Sequence, residues 1–239
     1  MFFDMDDTIV DHSLTCRRSL ERLQRSEPVL QGRSLDDIWH EYSQLLEAAQ
    51  PAISVGRVTI AQSRVERFHR LARYCGGEIS DQQASEFSHR YRENYQRLRS
   101  TVPGARRVLE RLRGRTVVGV VTNNEVSEQE EKLDHFALRP LIDFMVVSAG
   151  VGVAKPDPQI FRIALDRAGV VAEETVMVGD SWKSDITGAR NVGIRPVWFN
   201  RFHLARPDPW PIPEIDSFRS PVRAEAVVAG AANPPPPAG

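Results

Sequence analysis

Phe2-Phe3-Asp4-Met5-Asp6-Asp7-Thr8-Ile9-Val10 carries two apolar residues straight into three carboxylates, after which apolar sequence resumes. A short buried strand ending at Asp4 leaves Asp4 and Asp6 at its carboxyl edge, where open α/β sheets place their ligands. The same residues also suit a strand followed by an Asp-rich turn that caps a helix. The polar residues that follow the later strands decide between the two.

The 239 residues suffice for one large domain or two modest ones, and 41% apolar content is enough to bury a core. Charges nearly cancel, 31 basic against 32 acidic. Nothing global therefore draws the chain to a nucleic-acid polymer or an anionic membrane, and any anion site is local. Cys16 and Cys75 lie far apart without a CxxC or Cys/His cluster, which argues against a zinc site or a disulfide framework and suits a reducing, cytoplasmic setting. No apolar run approaches the roughly 18 residues of a spanning helix, and the first residues lack the basic and apolar regions of an export signal. A soluble monomer or homodimer is expected.

From Asp11 to Ser100 the periodicity is helical. Cys16, Leu20 and Leu23 repeat at helical spacing behind Ser13 as a cap, and Pro28 and Gly32 punctuate. Ile38, Tyr42, Leu45 and Leu46 mark a second face between a Ser34 cap and a stop at Pro51. Thr59 opens a third helix carrying Val65, Phe68, Leu71 and Ala72, closed by Gly76-Gly77. A fourth, from about Ser80, sets Ala84, Phe87, Tyr91, Tyr95 and Leu98 on one side. Four such faces can bury one another as a bundle. Arg57, Arg64 and Arg67 cluster near the Gly56 turn, either as a solvated helix face or as cations facing an anionic substrate.

From Pro103-Gly104 helices and strands alternate. Val117 to Val121 is a near-continuous apolar run that ends at Thr122-Asn123-Asn124, as suits a strand buried on both faces. Phe144 to Val147 is the next strand, and Lys155-Pro156-Asp157-Pro158 leads into a helix with Pro158 in its first turn. Thr175 to Val178 ends at Gly179-Asp180-Ser181, a helix follows from about Ser184, and Arg195 to Phe199 supplies a last strand. Repeated strand-helix units predict an α/β core, a doubly wound and mainly parallel sheet of Rossmann-like form. Residues 1–11 and 101–218 form that core, 12–100 a helical insert, and 219–239, rich in Ala and Pro, a disordered tail.

In order, the polar residues at strand ends are Asp4 and Asp6, then Thr122, then Lys155, then Asp180 and Asp185. Each alone suits a turn, a surface or a cap; their joint placement points to chemistry. Carboxylates with one lysine and one hydroxyl suit phosphoryl transfer at Mg²⁺, which takes hard oxygen ligands. Asp4 is then the nucleophile, forming an aspartyl-phosphate while Lys155 neutralises phosphoryl oxygens. Asp6 protonates the leaving alkoxide and then deprotonates the attacking water. Thr122 and the backbone amide of Asn123 bind phosphoryl oxygens, Asp180 completes the metal's protein ligands, and Asp185 either holds the metal through water or orients Lys155.

The set resembles the haloacid dehalogenase-like hydrolase superfamily over nearly all the chain except the tail. Its D-x-D-x-T motif stands as Asp4-Met5-Asp6-Asp7-Thr8, its second-motif hydroxyl as Thr122, its third-motif lysine as Lys155, and its fourth-motif acidic pair as Asp180 and Asp185. The resemblance implies the roles above, with the backbone carbonyl of Asp6 as a further Mg²⁺ ligand. It also implies that residues 12–100 are a cap closing over the active site. True dehalogenases of the superfamily lack an equivalent of Asp6, so the resemblance implies phosphatase chemistry. Gly152-Val153-Ala154-Lys155-Pro156 and Gly56-Arg57-Val58-Thr59-Ile60 look similar to the nucleotidase and N-acylneuraminate-9-phosphatase branch. Small phosphorylated metabolites are the expected substrates: nucleoside monophosphates, sugar phosphates or FMN. A phosphomutase of the same superfamily and a non-catalytic regulator that binds a phosphorylated ligand are the alternatives.

Overall fold

The opening apolar pair forms β1 (Phe2–Phe3), with both residues buried. The structure, a computed structural model, describes residues 1–54 and 56–232. In chain order there follow α1 (His12–Ser26), α2 (Leu35–Ser54), α3 (Ile60–Tyr74), α4 (Asp81–Leu98), α5 (Ala105–Leu112) and β2 (Gly119–Thr122). Next come α6 (Val126–His135), β3 (Phe144–Val147), α7 (Ser148–Val151), α8 (Pro158–Ala168) and β4 (Val176–Gly179). A π-helical turn (Trp182–Thr187), α9 (Gly188–Arg190), β5 (Arg195–Phe199), β6 (Glu214–Ile215) and α10 (Pro221–Ala232) complete the order. The chain divides into two compact units, Met1–Asp11 joined by the chain from Thr101 onward, and His12–Ser100.

The first unit is built on a six-stranded sheet in the order β3-β2-β1-β4-β5-β6, with neighbouring strands parallel. Two residues suffice for β1 because it is central: Phe3 lies opposite Val120 on one side and Val178 on the other. Successive side chains of a strand point to opposite faces. Phe3 accordingly packs with Leu109 of α5, Leu133 of α6 and Val228 of α10, while Phe2 packs with Ile160 and Phe161 of α8 and Ala189 of α9. Burying each ring contributes roughly 1.5–3 kcal/mol, so this short strand ties both helical layers to the sheet. After β3 the chain crosses to the far side of β1 to form β4. The strand order therefore reverses between β1 and β4, and the carboxyl ends of those strands flank the crevice where doubly wound sheets bind ligands.

The second unit is a helical bundle whose core includes Leu20, Ile38, Tyr42, Phe68, Leu71, Phe87 and Tyr91. Thr59 and Ser80 begin α3 and α4 with capping boxes closed by Gln62 and Gln83. Ser34 accepts from the Asp37 amide at 3.1 Å. Two expectations are corrected. Ser13 is not a cap, because α1 already begins at His12. Pro51 does not stop α2, which runs to Ser54. Cys16 and Cys75 are free thiols.

The expected tail is also corrected. Residues 221–232 form α10, whose Ala224 and Val228, four residues apart, are fully buried, and whose Glu225 pairs with Arg111 and Arg115 on and after α5. Small apolar residues at helical spacing bury a stripe that composition alone conceals. The Pro234–Pro237 run lies outside the described residues. Among the described residues no helix is long and apolar enough to cross a membrane.

Candidate active site

Because β1 ends at Phe3 and β4 at Gly179, Asp4 and Asp180 leave the sheet on adjacent strands. The Asp4 amide still donates to the Val178 carbonyl at 2.9 Å. Asp180 is braced by Trp198 of β5, whose Nε1 donates to its carbonyl at 2.8 Å, and by the Thr8 hydroxyl at 3.4 Å from its Oδ1. The π-helical turn after β4 returns Asp185 toward the same point; the Ser181 amide donates to its Oδ2 at 3.0 Å. A Cβ on Gly179 would fall on the Asp185 carboxylate. Carboxylate oxygens of Asp4, Asp180 and Asp185 lie within 4.8 Å of one another.

Lys155 enters this cluster from the loop between α7 and α8. Its buried Nζ donates to Asp4 Oδ1 and Asp185 Oδ1, both at 2.6 Å, and to the Val121 carbonyl at 2.7 Å. All three ammonium hydrogens are thereby used. Asn123 fixes the backbone of that lysine: its Nδ2 donates to the Lys155 carbonyl at 2.9 Å, and the Lys155 amide donates to its Oδ1 at 2.8 Å. The Asn123 side chain thus acts on Lys155. Asp185 is in direct contact with Lys155. Asp7 occupies the turn after the nucleophile with φ +60°, a left-handed conformation that aspartate tolerates better than most residues.

The cluster has more negative than positive charge. Burial pushes the Asp4 carboxyl up to about 7, with Lys155 pulling it down and Asp185 pushing it further up. Burial, then the charges of Asp4, Asp185 and Asp7, push Asp180 well above the usual carboxylate range. Burial alone would lower the Lys155 ammonium, but the Asp185 and Asp4 carboxylates outweigh it and hold the lysine charged.

Asp6 faces elsewhere. Its carboxylate is not part of the three-aspartate group: Oδ1 accepts from Lys132 Nζ at 2.6 Å, and Oδ2 from Gln129 Nε2 at 3.1 Å and Asn124 Nδ2 at 3.4 Å. Gln129 Nε2 also donates to Thr122 Oγ1 at 2.8 Å. Sequence reading missed Gln129 and Lys132 as site residues. The available signal was two polar residues three apart on α6, on the same side as Leu133; all three are buried.

Arg57 and Arg64 belong to the helical unit. Arg57 is exposed in the turn after α2, and Arg64 on α3 lines a cleft of about 750 Å³ with His69, Ser88, His89 and Arg92. Arg67 turns inward instead of facing solvent. It is buried with its guanidinium 4.8 Å from the Tyr42 ring centroid and its Nε donating to the Ser63 carbonyl at 3.3 Å.

The chain is similar to known proteins over most of its length. The chain is 32% identical over 200 residues to a glyceraldehyde 3-phosphate phosphatase of Pyrococcus abyssi, covering 83% of this chain and 80% of that one. It is 40% identical over 108 residues to the pyrimidine 5'-nucleotidase YjjG of Escherichia coli, covering 45% of this chain and 48% of that one. A magnesium-bound structure of YfnB from Bacillus subtilis superposes with a TM-score of 0.73 at 24% identity, covering 94% and 96% of the two chains, and so shares the fold. The model of the haloacid dehalogenase-like hydrolases matches residues 1–193, a span that contains every strand-end residue described above, and the chain belongs to that family.

Proposed function

We propose that this enzyme hydrolyses phosphate monoesters of small metabolites through an aspartyl-phosphate on Asp4. The observation that carries the reading is the Lys155 ammonium, shared between Asp4 and Asp185 within the group that includes Asp180. Three carboxylates crowded around one cation, with Asp180 driven toward protonation, fit a hard divalent ion such as Mg²⁺. Asp4, Asp180 and, as the family resemblance implies, the backbone carbonyl of Asp6 would hold it, with Asp185 acting on Lys155 or through water. Bound there, Mg²⁺ would supply charge neutralisation at the phosphoryl oxygens.

The remaining chemistry belongs to the chain. An Asp4 carboxylate oxygen attacks phosphorus, the bond to the ester oxygen breaks, and Asp6 gives that oxygen a proton. Asp6 then takes a proton from water as the water oxygen attacks phosphorus and Asp4 is released. Thr122 Oγ1 accepts from Gln129, leaving its own hydrogen to donate to a phosphoryl oxygen, beside the Asn123 amide. Asp6 also distinguishes this reading from dehalogenation and from simple ligand binding, neither of which needs a proton carried. The relatives named for glyceraldehyde 3-phosphate and pyrimidine nucleotides support sugar phosphates and nucleoside monophosphates as the substrate class, with FMN as a further member.

The test is phosphate release from p-nitrophenyl phosphate with and without Mg²⁺. Asp4→Asn should reduce turnover at least about 100-fold while the chain still folds cooperatively; near-normal turnover in that variant overturns the mechanism. No release by the wild type under any metal condition would favour a non-catalytic regulator. Comparison of kcat/KM among nucleotides, sugar phosphates and FMN then ranks substrates.

A further inference from the structure

We propose that Lys132 and Gln129 are positioning residues that aim the Asp6 carboxylate during turnover. The inference rests on the phosphatase reading, in which Asp6 carries the proton. Helix α6 begins shortly after Thr122 and turns Gln129 and Lys132 onto its buried face, where they are 0% and 2% exposed. Residues three apart on a helix are neighbours on its surface, so the two side chains can reach one target together. A buried ammonium is costly unless paired, and Lys132 is paired with Asp6 Oδ1 at 2.6 Å.

The second oxygen of Asp6 is held as well, by the Gln129 amide at 3.1 Å and the Asn124 amide at 3.4 Å. With donors on both oxygens, the carboxylate plane is fixed rather than free to turn. The Gln129 nitrogen that reaches Asp6 also donates to Thr122 Oγ1 at 2.8 Å. One amide therefore sets the spacing between the proton carrier and a hydroxyl that grips the phosphoryl group. Lys132 contributes its charge to Asp6, whereas Lys155 contributes its own to Asp4 and Asp185. The two buried lysines thus divide the site, one serving the nucleophile and the other the acid/base. A structural ion pair tethering α6 would need Lys132 and Asp6 in contact, but it would not make the loss of Lys132 depend on proton transfer.

The test is a double-mutant cycle in the full chain with saturating Mg²⁺, reading kcat and KM separately on an alkyl phosphomonoester, with single-turnover rates for the slow variants. Lys132→Met should lower kcat by about 10–100-fold, the usual range for removing a partner that orients a reacting group, with KM within about twofold. In an Asp6→Asn background the same substitution should change the rate by less than about twofold. On p-nitrophenyl phosphate, whose leaving group needs little protonation, the loss should be smaller than on the alkyl ester. Lys132→Gln retains one donor and should recover part of the rate. Equal losses in both backgrounds, a Lys132→Met rate within about twofold of wild type, or failure of both Lys132 variants to fold would each overturn the positioning role. A wild type that turns over no substrate would bring down the phosphatase reading itself, whereas an active wild type with an insensitive Lys132 would sink this inference alone.

Discussion

At the scale of single residues, the site depends on a side chain that is missing. Gly179 closes β4, and the space a Cβ would take there is filled by the Asp185 carboxylate, held by Lys155 on one oxygen and the Ser181 amide on the other. Gly179→Ala must displace Asp185 and loosen Lys155. We expect kcat/KM to fall at least about tenfold and stability to fall by about 1–3 kcal/mol, read by steady-state kinetics and denaturant unfolding. A variant with unchanged kcat/KM would show that Asp185 need not sit where it does. Asp4, Lys155, Asp180 and Asp185 were legible in the sequence because each is a charged residue placed just beyond an apolar run or between strands, where a doubly wound sheet puts its ligands. Gln129 and Lys132 were not, because polar residues inside a helix pattern ordinarily face solvent, and only the half-buried Asp6 opposite them gives them a reason to turn inward.

At the scale of elements, the sheet and the bundle were legible from periodicity, whereas α10 was concealed by its composition. Among its described residues the buried apolar side chains are Ala224 and Val228, and its charged anchor, Glu225, finds its partners more than a hundred residues away on the chain. Hydrogen bonding to Arg111, reinforced by the charges of Arg111 and Arg115, holds the Glu225 carboxyl below the usual glutamate range. A depressed folded value contributes stability above the unfolded pKa, and that contribution is lost as pH falls through the folded value. Glu225→Gln keeps the shape and removes the charge. It should lower the unfolding midpoint at about pH 7 and lower it less at about pH 3, because the carboxylate's contribution is lost as pH falls through its depressed folded value. A midpoint difference of the same size at both pH values would assign the loss to packing rather than to the ion pairs. The π-helical turn was likewise missed as a type: Ser184 was expected to begin a helix, but the Ser181 hydroxyl accepts from the Ser184 amide and the turn already starts at Trp182. Such turns occur often at functional sites, and this one carries Asp185 into the cluster.

At the scale of the whole molecule, the charge gathered at the β1/β4 switch point links folding to pH and, on the proposed function, to metal. In the metal-free protein the folded state raises Asp4 from 3.8 to about 7 and raises Asp180 well above its ordinary value, burial being the largest cause for both. Between about pH 4 and pH 7 the folded chain then keeps protons that the unfolded chain has released, so more protons are bound when folded and stability falls as pH rises. Lys155 stays charged across that window and does not alter the sign. Mg²⁺ binds ionised carboxylates and must displace those protons. A ligand that binds only the folded state at about 100 times its Kd adds about 2.7 kcal/mol, and at a fixed metal concentration that gain grows as the competing protons leave. The Mg²⁺-induced rise in unfolding midpoint should therefore be larger at about pH 8 than at about pH 5. Calorimetric titration in two buffers of different ionisation enthalpy should report protons released on binding near pH 6. Equal midpoint shifts at both pH values, with no proton release, would mean that Asp4 and Asp180 are already ionised without metal, and that Lys155 alone balances the cluster.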